Sequence, residues 1–258
     1  MPGGRLTNTP TAELAGALWE RLMLRAVRPV LGALPESTLL RVRSGPLRGA
    51  LWAPRAFGPR CWLGTYELDK QHWFVEHARP GKALFDIGAH TGFYTLLGSR
   101  LVGPEGRVFA FEPLPRNLKF LRRHLDANQA RNVTVIDAAV GDVPGEARFN
   151  SSAADDEGGL SDSGELVVKV VAIDDLVGRG DLPAPSVMKI DVEGAEELVL
   201  RGARRTIRDH RPVIMLATHS PDIFDRCGAV LREAGYDLHG PAFERPAHDE
   251  VLALPAPR

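Results

Sequence analysis

Two cysteines in 258 residues, Cys61 and Cys227, provide neither a disulfide framework nor a Cys-x-x-C pair for metal or redox work. They are expected to be idle or buried thiols in a reducing compartment. No apolar run approaches the ~20 residues needed to span a bilayer. Glu13, Glu20, Arg21 and Arg25 interrupt any apolar stretch that a secretory leader would need. No charge of either sign predominates: 32 Lys and Arg face 33 Asp and Glu, a formal net charge of −1. Nothing electrostatic therefore points to nucleic acid or to an anionic membrane as partner, and the cytoplasm is the expected setting. With 44% hydrophobic and 25% charged residues, the chain has the composition of a globular protein. Its length suits one large α/β domain or two small ones.

The most informative stretch runs Lys82-Ala-Leu-Phe-Asp-Ile-Gly-Ala-His-Thr-Gly-Phe-Tyr94. Ala83-Leu84-Phe85 reads as a strand buried on both faces. The chain then turns through Asp86, Gly88 and Gly92 into an apolar-periodic helix that begins at Phe93. Strand, glycine turn and helix in that order make a nucleotide-type site, in which glycines let the backbone approach a ligand closely. A dinucleotide fingerprint needs Gly-x-Gly-x-x-Gly. Here position 90 is His, the glycines are spaced Gly88-x-x-x-Gly92, and Asp86 would repel a pyrophosphate. A carboxylate at this strand end suits a ligand carrying an amine. A second apolar strand, Arg107-Val-Phe-Ala-Phe-Glu-Pro113, ends in Glu112, where a carboxylate can accept hydrogen bonds from both ribose hydroxyls. Asp86, Gly88, Gly92 and Glu112 together resemble the S-adenosylmethionine site of class I methyltransferases. That ligand has a ribose, an ammonium end and no phosphate, and S-adenosylmethionine is the cofactor this resemblance implies.

Beyond these strands the pattern keeps alternating. A helix is expected over 117–128, a third strand over 132–141, a fourth over 186–194 with a helix over 195–207, and a fifth over 212–219 with a helix over 221–234. Residues 236–239 and 251–254 would close the sheet as an antiparallel pair. Such alternation predicts a mostly parallel, doubly wound sheet with ligands at the carboxyl ends of its strands. Asp86, Glu112, Asp137, Asp191 and His219 fall at or near those ends. Residues 165–176 read as an extra strand pairing with 147–149, and the polar stretch 151–159 as a flap over the acceptor pocket. Residues 1–80 are expected to form a dependent cap on a cofactor-binding domain at 81–258. The cap would comprise a helix from Thr11 to about Pro29, a hairpin around Gly45-Pro46, and a helix over 68–77. Leu14, Leu18 and Leu22 on the first helix could meet a second copy of the chain.

These motifs resemble the FkbM family of S-adenosylmethionine-dependent methyltransferases. The likeness rests on Phe85-Asp-Ile-Gly-Ala-His-Thr-Gly-Phe-Tyr94, Phe111-Glu-Pro113, Ala139-Val-Gly-Asp142, Ile173-Asp-Asp-Leu176 and Met188-Lys-Ile-Asp-Val-Glu-Gly-Ala-Glu196. The resemblance implies a Rossmann-like, seven-stranded α/β fold of class I methyltransferases and methyl transfer to a hydroxyl of a sugar or specialised metabolite. The cofactor residues it implies are Glu67, Asp86, Gly88, Ala89, His90, Thr91, Gly92, Phe93, Tyr94, Glu112, Pro113, Ala139 and Asp191. The chain departs from the family pattern at His90, usually Asn, and at Ala217, usually acidic.

For a hydroxyl acceptor, the protein must align the reactants and remove a proton. Asp191, Glu193 and His219 are the candidate catalytic residues. The same three could hold Mg²⁺, but no spacing demands it, and the expected site carries no metal. A nitrogen acceptor, or a binding module that retains the fold without catalysis, remains as an alternative.

Overall fold

The computed structural model describes residues 27–150, 159–160, 166–240 and 250–257. The leucines proposed for a dimer contact and most of the polar flap, 151–158, lie outside these residues. Residues 27–33 are helical, so helix continues past Pro29, near which the first helix was expected to end; the rest of that expected helix lies outside the described residues.

A short hairpin, β1 (Leu40–Arg41) with β2 (Leu51–Trp52), pairs Leu40 with Trp52 and precedes two helices, α1 (Pro59–Leu63) and α2 (Leu68–His77). The main sheet follows from β3 (Ala83–Ile87), β4 (Arg107–Phe111), β5 (Val133–Ile136), β10 (Val187–Ile190), β11 (Val213–Ala217), β12 (Tyr236–His239) and β13 (Glu250–Pro255). These strands are ordered β12-β13-β11-β10-β3-β4-β5. All neighbours from β11 to β5 are parallel, and the β12–β13 hairpin joins antiparallel to β11. The crossovers carry α3 (Phe93–Val102), α4 (Pro115–Ala127), α6 (Glu196–Gly202), α7 (Arg204–His210) and α8 (Pro221–Glu233). The strand order reverses between β3 and β10, which places a crevice beside the glycine turn.

The period of two along the strands separates the core into two layers. Leu84, Val108, Ala110, Val187, Met215 and Leu252 face one layer. Phe85, Phe109, Phe111, Met188, Ile190, Leu216 and Val251 face the other. The first layer is completed by residues that precede the sheet, including Trp52, Cys61, Trp73 and Phe74. His124 of α4 joins the two parts. It stacks on Trp52 at 3.9 Å, accepts from the Ala53 N–H at 2.9 Å, and its Nδ1 meets the Thr91 carbonyl at 2.7 Å. Burial lowers its pKa to about 4, so it remains neutral there.

Three expected elements differ. The third strand splits: β5 stays in the main sheet, while β6 (Ala139–Val140) leaves after Asp137 and pairs parallel with β9 (Leu166–Val171). Together with β7 (Gly145–Asn150) and β8 (Gly159–Leu160) they form a separate four-stranded sheet, in which Ala147 pairs with Val168 as the pattern predicted. The extra strand also stops at Val171, because α5 (Ile173–Gly178) begins within the expected strand. The single helix expected over 195–207 is two helices broken at Ala203. The cause is Asp174 of α5, which accepts from the N–H groups of Arg205 and Thr206 at 2.8 and 2.7 Å and so caps a new helix start.

Both turn glycines have left-handed φ, +76° at Gly88 and +93° at Gly92. A Cβ on Gly88 would lie 1.8 Å from the Asp191 carbonyl oxygen, and one on Gly92 would lie 2.5 Å from Leu121 Cδ1. Close approach of backbone to backbone demands the glycine at 88, and the left-handed φ favours it at 92. Gly88→Ala is expected to cost about 3 kcal/mol or more. Gly32→Ala, in a helical stretch with nothing within 4 Å, should stabilise by about 0.5–1 kcal/mol. Thermal melts of the two variants should move in opposite directions.

Candidate active site

A cavity of about 670 Å³ opens at the carboxyl ends of β3, β4, β10 and β11, a size suited to a small organic ligand. Of the residues expected there, Glu67, Gly88, Ala89, His90, Thr91, Phe93, Tyr94, Glu112, Pro113, Ala139, Asp191, Glu193 and His219 all line it. Asp86, Gly92 and Asp137 are not among the lining residues. Asp137 instead pairs with Arg122 at the surface, because the strand end that carries it turns away into β6. Gly92 packs on Leu121. Asp86 is fully buried beneath the turn, accepting from Thr95 Oγ1 at 2.6 Å and lying 3.5 Å from Lys189 Nζ. It anchors the chain and is not positioned to meet a ligand amine.

The turn's donors are already engaged. Gly88 N and Ala89 N both donate to the Phe111 carbonyl, at 3.0 and 2.9 Å, and Gly92 N donates to the Ala89 carbonyl. His90 N donates to Glu112 Oε2 at 2.8 Å. These four N–H groups cannot cradle a pyrophosphate, consistent with the missing dinucleotide fingerprint. Glu112 Oε1 accepts from Leu114 N at 2.9 Å and Asn117 Nδ2 at 3.1 Å. Three of the carboxylate's roughly four acceptor positions are thereby filled from within the chain. Oε2, with one donor against two on Oε1, is the oxygen with more room for a ligand hydroxyl. Burial raises its pKa against these donors.

The other side of the cavity is ionic. Lys189, opposite Asp86 in the β3–β10 register, donates to the Gly88 carbonyl at 2.6 Å and lies 3.5 Å from Asp191 Oδ2. Lys70 of α2, also buried, reaches Glu250 at 2.8 Å, Glu67 at 2.9 Å and Asp191 Oδ2 at 3.6 Å. Both ammoniums flank the Tyr94 ring, at 5.5 and 5.9 Å from its centroid. Burial alone would raise the pKa of Asp191, but Lys189, Lys70 and His219 outweigh it and hold the carboxyl far below its usual range.

The three candidate catalytic residues do converge. His219 Nε2 lies 3.1 Å from Glu193 and 3.6 Å from Asp191 Oδ1, while Nδ1 lies 2.8 Å from the fully buried Glu196. Hydrogen bonds to Glu193 and Glu196 raise the imidazole to about 10. Neither Asp191 nor His219 is therefore a ready proton acceptor at neutral pH.

Three charged residues of this site received no role from the sequence. Glu196 was legible only as part of a motif. Lys70 had a signal, a lysine on the helix face that carries Trp73 and Phe74. Glu250 opens the last strand directly opposite Ala217, and both line the cavity. The family's acidic position at 217 is empty of charge here, and a carboxylate stands across the ladder from it. Burial raises Glu250 to about 7. Phe57 and Tyr66, also unforeseen, extend an aromatic wall from His90 to Phe93.

The seven-stranded order with a terminal antiparallel hairpin, and a ligand cavity at its switch point, define the class I methyltransferase fold. The methyltransferase FkbM domain matches residues 86–238, more than half of the chain, and the chain belongs to that family. A hexuronic acid methyltransferase, AglP of Haloferax volcanii, is 31% identical over 153 residues, which cover 58% of this chain and 61% of that protein. The 31-O-demethyl-FK506 methyltransferase FkbM of Streptomyces tacrolimicus is 31% identical over 209 residues, covering 67% of this chain and 80% of that enzyme. A solved FkbM methyltransferase from Methylobacillus flagellatus is similar at 24% identity, with a TM-score of 0.48 over 71% of this chain and 50% of that one.

His219 gives a testable pH signature. Its folded pKa stands above the ordinary ~6.5, so its contribution to stability is complete below about 6.5 and lost as pH rises toward 10. Imidazole NMR of the chelator-treated protein should show a midpoint near 10, and Glu193→Gln should lower it.

Proposed function

We propose that this protein transfers a methyl group from S-adenosylmethionine to a hydroxyl of a sugar or specialised metabolite. The observation that carries the reading is the switch-point cavity, where the turn's engaged N–H groups leave no phosphate cradle while Glu112 keeps one acceptor position for a ribose hydroxyl. Bound there, the cofactor supplies an electrophilic methyl group, and its positive charge suits a wall carrying Glu67, Asp191 and Glu250. Gly88 to Thr91 contribute backbone surface, and Phe93, Tyr94, Pro113 and Ala139 pack around the remainder. The acceptor side is formed by Asp191, Glu193 and His219, at the ends of β10 and β11.

The activities named for the two curated relatives, on a hexuronic acid and on a demethylated FK506, support an oxygen acceptor on a sugar or natural product. Within this reading, Asp191 and His219 position the acceptor and Glu250 takes its proton, since a carboxyl raised to about 7 is poised for that work. The free, buried thiols of Cys61 and Cys227 support a reducing, cytoplasmic setting. No helix among the described residues is long and apolar enough to cross a membrane.

Calorimetric titration with S-adenosylhomocysteine tests the cofactor. Wild type should bind, Glu112→Gln should bind at least ~10-fold more weakly, about 1.4 kcal/mol, and His219→Gln should bind normally. A folded wild type that takes up no ligand would sink the reading. With a hydroxylated acceptor, the rate should rise through a pH of about 7, and Glu250→Gln should lose that inflection. Transfer to an amine in preference to a hydroxyl would move the assignment to N-methylation.

A further inference from the structure

We infer that Asp191, Glu193 and His219 form a binding site for a divalent metal ion that accepts mixed carboxylate and imidazole ligands. One ligand atom from each of the three lies within 4.8 Å of the others. The 3.1 Å and 3.6 Å separations from His219 Nε2 to the two carboxylates are close to the ~3 Å between neighbouring ligands of an octahedral ion with ~2.1 Å bonds. Asp191 is divided between two tasks: Oδ2 is 3.5 and 3.6 Å from the two lysines, and Oδ1 is the oxygen nearer His219.

An independent observation lies behind the imidazole. Glu196, with no exposed surface, accepts from His219 Nδ1 at 2.8 Å and from Gly194 N at 3.1 Å through the same oxygen. A buried carboxylate that holds the far nitrogen of a histidine is the arrangement that orients metal-binding imidazoles. The same carboxylate ties down the Asp191-Val-Glu-Gly194 turn that carries the other two ligands. Its second oxygen is buried without a hydrogen-bond partner, so negative charge here is under-compensated. Around the site, Glu67, Asp86, Asp191, Glu193, Glu196 and Glu250 share two ammoniums and one imidazole. A divalent ion would replace the proton between His219 and Glu193, releasing it to solvent.

Three protein ligands leave positions for water or an acceptor oxygen. That use rests on the methyl-transfer reading, whereas the metal site itself does not. The test is Mn²⁺ titration of the chelator-stripped full-length chain, followed by the electron paramagnetic resonance of free Mn²⁺. Wild type should sequester one Mn²⁺ per chain with saturation. Glu193→Gln and His219→Ala should each weaken binding at least ~10-fold, and Glu196→Gln by ~10–100-fold, while Glu36→Gln, in an exposed pair with Lys119 outside the cavity lining, should leave it unchanged. Should His219→Ala fail to fold, Glu193→Gln, whose side chain is 34% exposed, gives the answer alone. Absence of saturable binding, or binding that survives Glu193→Gln, overturns the proposal. Titrating S-adenosylhomocysteine into the same samples separates the readings. Cofactor without Mn²⁺ removes only the metal, and Mn²⁺ without cofactor removes only the methyltransferase assignment.

Discussion

The carboxyl edge of this sheet depends on one buried ammonium. Lys189 Nζ bonds the Gly88 carbonyl and lies between Asp86 on β3 and Asp191 after β10. It therefore ties together the two strands at which the sheet reverses its order and the turn between β3 and α3. Removing one partner of such a buried set commonly costs about 3–5 kcal/mol, because the remaining charge is left uncompensated. The geometry is tight enough that Gly88 has no room for a Cβ against the Asp191 backbone. Turn, strand end and ion pair are thus one constraint, and the cavity is the space that they leave.

A second charge, Lys70, extends this constraint to the residues ahead of the sheet. Its ammonium reaches Glu67 within α2's own N-terminal region, Asp191 at the centre, and Glu250 at the start of β13. Three parts of the chain far apart in sequence meet at one nitrogen. The Trp52–His124 stack and the bond from His124 to the Thr91 carbonyl make the same connection on the apolar side. The leading segment therefore helps to shape the wall of the site as well as cover the core. Electrostatically, the result is a cavity rich in carboxylate, in which cations hold Asp191 ionised while carboxylates hold His219 protonated.

Much of this was legible in the sequence. Ala83-Leu-Phe and Arg107-Val-Phe-Ala-Phe announced the central strands, because a strand covered on both faces must be apolar nearly throughout. Most of the residues expected at the cofactor lined the cavity, since a strand-turn-helix places them there by local geometry. The roles of individual groups were less legible. Asp86 looked like a ligand contact and is an anchor, because its partner Lys189 lies on a strand that is remote in sequence. Helix 195–207 looked continuous and is broken, because its new cap, Asp174, comes from another element.

What the sequence determined by itself was periodic and local: parallel strands, their order of appearance, the glycine turn and the absence of a phosphate fingerprint. Propensity, alternation and positive-φ glycines act over a few residues, so they can be read in one dimension. What only the tertiary structure decided was which charges meet. The pairing of Ala217 with Glu250, the burial of Lys70 and the seating of His219 against Glu196 depend on register and crossover. Ionisation in a low-dielectric crevice is set by neighbours a few ångströms away, whatever their distance along the chain.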